Sequence, residues 1–263
     1  VTAVSDGAVA ATSIERYAAD MQRKTGLRPQ RPATAQASSG ASKASAPSGN
    51  ARETEGGFLT AEQREQLAGV FARMECPLIL KAEPDSRPVS EDLRRMLMEL
   101  AALTDKLTVE WTPPSDGPER PCVRVLRADG TDTGIAFHGV PGGHEFNSFV
   151  VGLYNAAGPG QSIDPALAEA IAAIDRPLDL QIVVALSCTM CPELVIAAQK
   201  IAASNPLVTA KVYDVNHFPE LRERYKIMSV PCLIINKAKV AFGKKTLGQL
   251  LELLAEPEDG QTG

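Results

Sequence analysis

Aromatic side chains are scarce in this 263-residue chain, at 5% of residues with a single tryptophan, so any core must be aliphatic. Apolar residues make up 44%, enough at this length for one large domain or two small ones. No apolar run approaches the roughly 18 residues of a membrane helix. Residues 1–20 carry acids and lack the continuous apolar block of a signal peptide. A soluble protein with no membrane partner is expected. Basic charge is not in excess: 27 Lys and Arg against 32 Asp and Glu leave a formal net charge of −5, with no basic stripe. That balance argues against a nucleic-acid partner. Cysteine is sparse as well. Cys76, Cys122, Cys188, Cys191 and Cys232 are too few and too unevenly placed for a secreted disulfide framework, so a reducing cytoplasm is the expected compartment.

From about 28 to 57 the chain has no Val, Ile, Leu or aromatic residue and is rich in Ala, Ser, Gly and Pro. Such a segment cannot bury enough surface to fold, and 27–57 is expected to be a disordered tether spanning roughly 30 Å.

What is present is more telling. The apolar run from Leu178 to Leu186 leads into Cys188-Thr189-Met190-Cys191, and a helical pattern follows with Val195, Ala198 and Ile201 on one face. A strand that delivers C-x-x-C to a helix start is the arrangement thiol–disulfide exchange needs: the helix N-terminus presents partial positive charge to a thiolate, and the second thiol sits one turn along to close on the first. Cys188 is the expected nucleophile and Cys191 the resolving thiol. The bland alternatives are two buried thiols or half a zinc site, but the remaining Cys and His residues show no second paired spacing of zinc type. Further on, Ser229-Val230-Pro231-Cys232 precedes Leu233-Ile234-Ile235. A proline just before a strand fits the cis-proline loop that faces the dithiol in thioredoxin-like folds. Pro231 should then leave the Val230 backbone available to a substrate segment.

The pattern strand, helix, strand, strand, strand, helix occurs twice after the tether. The first copy runs from a helix at about 60–74 into Pro77 to Leu80, then a helix carrying Leu93, Met96, Leu97, Leu100 and Leu103. Strands Leu107 to Trp111 and Pro121 to Val125 and a helix near 144–157 complete it. The second has strands at Leu178 to Leu186, Val208 to Val212, Pro231 to Ile235 and Val240 to Phe242, with helices near 191–204, 218–225 and 246–255. Pro121-Cys122 and Pro231-Cys232 fall at equivalent places. The fold class expected is α/β, two tandem thioredoxin-like folds, one at 58–160 without C-x-x-C and one at 161–257 with it, followed by a disordered tail at 258–263. Cys76, Cys122 and Cys232 are read as small apolar packing residues, and Trp111 as core or interface.

With these pieces in place, about 58–256 resembles the N-terminal domain of the alkyl hydroperoxide reductase flavoprotein subunit. The resemblance rests on Pro77 to Leu80, Asp105 to Val109, Phe137-His138-Gly139-Val140-Pro141-Gly142-Gly143-His144-Glu145-Phe146, Leu186-Ser187-Cys188, Cys191-Pro192 and Met228 to Pro231. It implies a redox shuttle whose dithiol takes electrons from a flavin-linked disulfide and passes them to a peroxiredoxin. Between the cysteines the family has His-Asn and this chain Thr189-Met190, a pair that tunes redox poise. The resemblance also implies that Glu145, from the copy without cysteines, lies beside the dithiol and modulates it, whereas from the residues alone it is an ordinary first-turn acid. Its weight falls on Glu145 rather than His144.

Asp6 to Tyr17 resembles the last helix of a thioredoxin-reductase-type flavin domain. Together with Val1 in place of Met, this leads us to expect a C-terminal fragment of such a reductase, with its helix in 1–26. On that expectation the fragment itself binds no cofactor, and FAD and NAD(P)H belong to the upstream reductase domain of the same polypeptide, which also forms a homodimer. Two alternatives stand: a general protein-disulfide reductase, and a redox-silent platform that docks a peroxiredoxin.

Overall fold

Thr60 opens the first helix, α1 (Ala61–Phe71), with a reciprocal cap. Its hydroxyl accepts from the Gln63 N–H while the Gln63 side chain accepts from the Thr60 N–H. In the computed structural model the described residues are 58–256, so the helix expected in 1–26, the tether and the tail lie outside them.

The first repeat continues with β1 (Leu78–Glu83), α2 (Val89–Ala101), β2 (Leu107–Trp111), β3 (Cys122–Arg127), β4 (Asp132–His138) and α3 (Glu145–Ala157). In α2 the residues Leu93, Met96, Leu97 and Leu100 recur at helical spacing and are fully buried, while Glu91 and Asp92 occupy the first turn, where the helix dipole favours them. A short helix, α4 (Pro165–Ala172), leads into the second repeat. Asp164 caps it and Pro165 opens it; Ile171 is buried and Leu167, one turn earlier, packs on the core beside it. Then follow β5 (Leu178–Val184), α5 (Cys191–Ser204), β6 (Val208–Asp214), α6 (Pro219–Arg224), β7 (Cys232–Ile235), β8 (Lys239–Phe242) and α7 (Leu247–Ala255).

All eight strands form one sheet in the order β2-β1-β3-β4-β6-β5-β7-β8. Each repeat contributes four in the same internal order, and β4 pairs parallel with β6, Ile135 opposite Ala210 and Phe137 opposite Val212. This join removes two edges that each repeat would expose alone. Gly134 permits it: at φ +78 a Cβ there would lie 2.4 Å from the Val208 carbonyl oxygen. Strand β4 is buried on both faces from Ala136 to His138, which hides it from an alternation test.

One continuous core lies on the face covered by α1 to α5 and α7, and includes Leu80, Phe137, Ile182 and Val212. The opposite face of the second repeat holds a smaller cluster of Val183, Tyr213, Phe218, Ile227, Cys232 and Ile234. Cys122 and Cys232 are buried, and burial lifts their thiols to about 12 and about 11. Cys76 departs from the expectation: it is exposed, because it sits in the turn between α1 and β1, where its N–H donates to the Ala157 carbonyl and its side chain faces solvent. Trp111 lies half-buried on the edge strand β2, with the Arg94 guanidinium 4.3 Å from its ring centroid.

Candidate active site

Strands β1, β4, β5 and β6 are mutually parallel, so their C-terminal ends, with the N-terminal ends of β3 and β7, share one end of the sheet. The C-x-x-C is there. Strand β5 ends at Val184, and a turn closed by Cys188 N–H donating to the Ala185 carbonyl (2.8 Å) lifts Cys188 to a half-exposed position. Cys191 begins α5 and is fully buried. Both thiols are free. The dithiol thus has an accessible member and a hidden one.

The Val230–Pro231 peptide is cis, as are Arg120–Pro121 and Gly158–Pro159. The Val230 carbonyl faces the dithiol, with Cys188 Sγ donating to it across 3.9 Å. Cys232 follows in β7, but strand alternation turns it to the opposite sheet face, away from Cys191 in the main core.

Glu145 comes from the other repeat. The loop from β4 to α3 folds over the turn before the cysteines, and the His144 N–H donates to the Leu186 carbonyl at 2.9 Å. Gly143 makes the approach possible: at φ +53, a Cβ would stand 2.4 Å from the Leu186 oxygen. His144 itself points to solvent, whereas Glu145 is wholly buried. Burial pushes its carboxyl up to about 7; the Ser148 hydroxyl opposes this, although neither carboxylate oxygen has a partner at hydrogen-bond geometry. The Cys191 thiol is raised well above the usual thiol range. Burial is the main cause, followed by the hydrogen bond and charge of Cys188 and the negative charge of Glu145, with the Ala185 backbone opposing. Cys188, Cys191, Glu145 and Pro231 therefore converge on one end of the sheet.

Sequence reasoning did not find the backbone groups that hold this arrangement, the Ala185 and Leu186 carbonyls. Their only signal was the paired glycines before Glu145. Two exposed methionines flank the site, Met190 between the cysteines and Met228 ahead of Val230.

The turns from β1 into α2 and from β5 into α5 contain no glycine. The glycine-bearing turn into α3 is packed on Leu186 and carries the buried Glu145 carboxylate. Among the described residues no cluster of three or more His, Cys, Asp or Glu is placed to hold a metal, and no helix is long and apolar enough to cross a membrane.

A family model described as a thioredoxin domain matches residues 178–255. The alkyl hydroperoxide reductase AhpF of Pseudomonas aeruginosa is 31% identical over 203 residues, covering 77% of this chain and 38% of that protein. A protein named NADH dehydrogenase from Ferdinandcohnia aciditolerans is 30% identical over 205 residues, covering 76% of this chain and 38% of its own length. The chain spans about two fifths of the length of these curated relatives. The solved N-terminal domain of AhpF from Enterococcus faecalis superposes with a TM-score of 0.71 at 36% identity, over 75% of this chain and all of that one. A protein disulfide oxidoreductase from Aeropyrum pernix shares the fold, with a TM-score of 0.64 at 20% identity over 74% of this chain and 91% of its own. This chain belongs to the family of the N-terminal domain of the alkyl hydroperoxide reductase AhpF, a pair of thioredoxin-like units of which the second carries the Cys188–Cys191 motif.

Proposed function

We propose that the dithiol relays electron pairs from a flavin-linked disulfide reductase to a peroxiredoxin. The observation that carries this reading is the buried Glu145 carboxylate, without a hydrogen-bond partner, whose charge acts on the buried Cys191 thiol below an accessible Cys188. In the forward step the Cys188 thiolate attacks one sulfur of the acceptor's disulfide, forming a mixed disulfide and releasing the other sulfur as a thiolate. Cys191 then gives its proton to Glu145 and attacks Cys188 Sγ. The Cys188–Cys191 bond forms, the mixed disulfide breaks, and the acceptor leaves two electrons richer as a pair of thiolates, which take their protons from water. A carboxyl near 7 is matched to this task, since it can take a proton at neutral pH and return it when the disulfide is next reduced. The Val230 carbonyl before cis-Pro231 supports edge-on docking of the acceptor segment. FAD and NAD(P)H belong, on this reading, to the electron donor.

The test is a single-turnover transfer. Protein reduced with dithiothreitol and freed of it is mixed with an oxidised two-cysteine peroxiredoxin, and thiols are counted on each partner. The expected result is loss of the Cys188 and Cys191 thiols with equal gain on the peroxiredoxin, much faster than with insulin. Equal rates with insulin would make the protein a general disulfide reductase. Binding with no thiol transfer would make it a docking platform.

A further inference from the structure

The first repeat keeps the outline of an active site but not its chemistry. At its β1-to-α2 turn, the counterpart of the C-x-x-C turn, stand Asp85, Ser86 and Arg87, and cis-Pro121 is the counterpart of cis-Pro231. In the second repeat the thiol of Cys188 approaches the carbonyl of Val230, the residue before cis-proline. In the first, Arg87 Nη2 donates to the carbonyl of Arg120, again the residue before cis-proline. Two turns four strand spacings apart, about 19 Å, thus make the same gesture with different groups.

Arg87 does more than fill the place of the lost thiol. Its Nε donates to Asp85 at 2.6 Å, and Asp85 is itself buried and held by the Ser90 hydroxyl at 2.7 Å. Its Nη1 donates to the His217 carbonyl at 2.8 Å, and its guanidinium lies 5.5 Å from the centroid of the Phe218 ring. His217 and Phe218 belong to the second repeat, in the turn after β6. That turn touches both halves of the functional site. The Val215 N–H donates to the Val184 carbonyl at 2.9 Å, at the end of the strand that delivers Cys188. Gly139, which starts the loop carrying Glu145, sits so close that a Cβ would be 3.4 Å from Asp214 Cβ and 3.5 Å from His217 Cδ2.

We propose that Arg87 fills the first repeat's retired active site as an internal ligand and, by clamping the 214–218 turn, is a positioning residue for the Glu145–Cys191 pair of the second. A guanidinium suits the task because its planar fork can serve three acceptors in fixed directions, which a lysine ammonium cannot. Arg87 touches neither thiol. The inference rests on the role given above to Glu145, so its test separates the two.

Arg87→Met keeps the stem packed on Phe218 and removes every donor; Arg87→Lys keeps the charge. Circular dichroism establishes that each variant is folded. Amide hydrogen exchange then reads the clamp alone: in Arg87→Met, exchange in 139–144 and 214–218 should quicken by roughly tenfold, with Arg87→Lys between it and the parent. Thiolate absorbance against pH reads the consequence, with Glu145→Gln made in both the parent and the Arg87→Met backgrounds. Cys188 and Glu145 are the charged groups that act on Cys191, so the Glu145→Gln shift measures their coupling. That shift should shrink when Arg87 is gone. Unchanged exchange in a folded Arg87→Met protein overturns the clamp, whatever Glu145 does. Faster exchange with an undiminished Glu145→Gln shift overturns the positioning role. Absence of any shift in the parent background removes Glu145 from the site, and the positioning role with it.

Discussion

At the scale of single residues, the site is asymmetric. Cys188 is half-exposed and Cys191 is at 0% exposure, so only one can meet a partner's disulfide. Cys188→Ser should abolish transfer, and Cys191→Ser should trap a mixed disulfide, because the attacking thiolate remains and nothing resolves it. A non-reducing gel with the peroxiredoxin shows which; equal trapping by both variants would reverse the assignment. Glu145→Gln removes a negative charge that raises the Cys191 thiol, so that thiol should ionise at lower pH while its resolving step slows by roughly 10²-fold for want of a proton acceptor. Thiolate absorbance and single-turnover rates report the two effects separately. An unchanged titration would return Glu145 to an ordinary helix-start acid.

At the scale of elements, the site depends on how closely the turn into α3 can lie on the turn into α5. That approach is set at Gly143, where the left-handed backbone and the Leu186 oxygen leave no room for a side chain. Gly143→Val should therefore cost about 1–3 kcal/mol of stability. It should also push Glu145 away from Cys191, so that the pH dependence of transfer comes to resemble that of Glu145→Gln. Denaturant unfolding measures the first and the transfer rate against pH the second. A stability loss with an unchanged pH profile would mean that α3 keeps its place through its own packing. Of these elements, α2, α5 and α7 are plain in the sequence, since their leucines and valines recur at helical spacing beside caps or prolines. The strand β4 is not, because it is buried on both faces; α4 carries its own signals, the Asp164 cap, Pro165 and the four-residue step from Leu167 to Ile171, but only eight residues over which to show them.

At the scale of the whole molecule, two buried titratable groups pull stability in opposite directions with pH. The Glu145 carboxyl is raised from 4.5 to about 7 in the fold, so the folded state holds a proton that the unfolded state has lost between those values, and this contribution falls as pH rises through the window. His138, stacked on Tyr213 and bonded through Nδ1 to the Glu119 carbonyl, is lowered by burial from 6.5 to about 4. The unfolded state binds the extra proton there, and stability rises with pH over that range. Each amounts to at most about 3 kcal/mol, at 1.36 kcal/mol per unit. Glu145→Gln should therefore gain stability relative to the parent between pH 5 and about pH 8, a difference that urea unfolding across the range would measure. A constant difference would mean that Glu145 is ionised in the fold at all these values.

The sequence by itself determined the local chemistry: an aliphatic core, two copies of one strand-and-helix pattern, and a C-x-x-C at a strand-to-helix turn with a proline opposite. These follow from residue types and short spacings, which act over a few neighbours and survive any larger arrangement. Even Glu145 was visible in the residues only as a first-turn acid, and its place beside the dithiol came from the family resemblance. The tertiary structure alone decided that β4 and β6 close the repeats into one sheet, that the Glu145 carboxyl is wholly buried where its charge acts on Cys191, and that Arg87 of one repeat holds the turn of the other. Those contacts join residues far apart in the chain. Their energies depend on burial and on a few close approaches at glycine, quantities that no window of sequence contains.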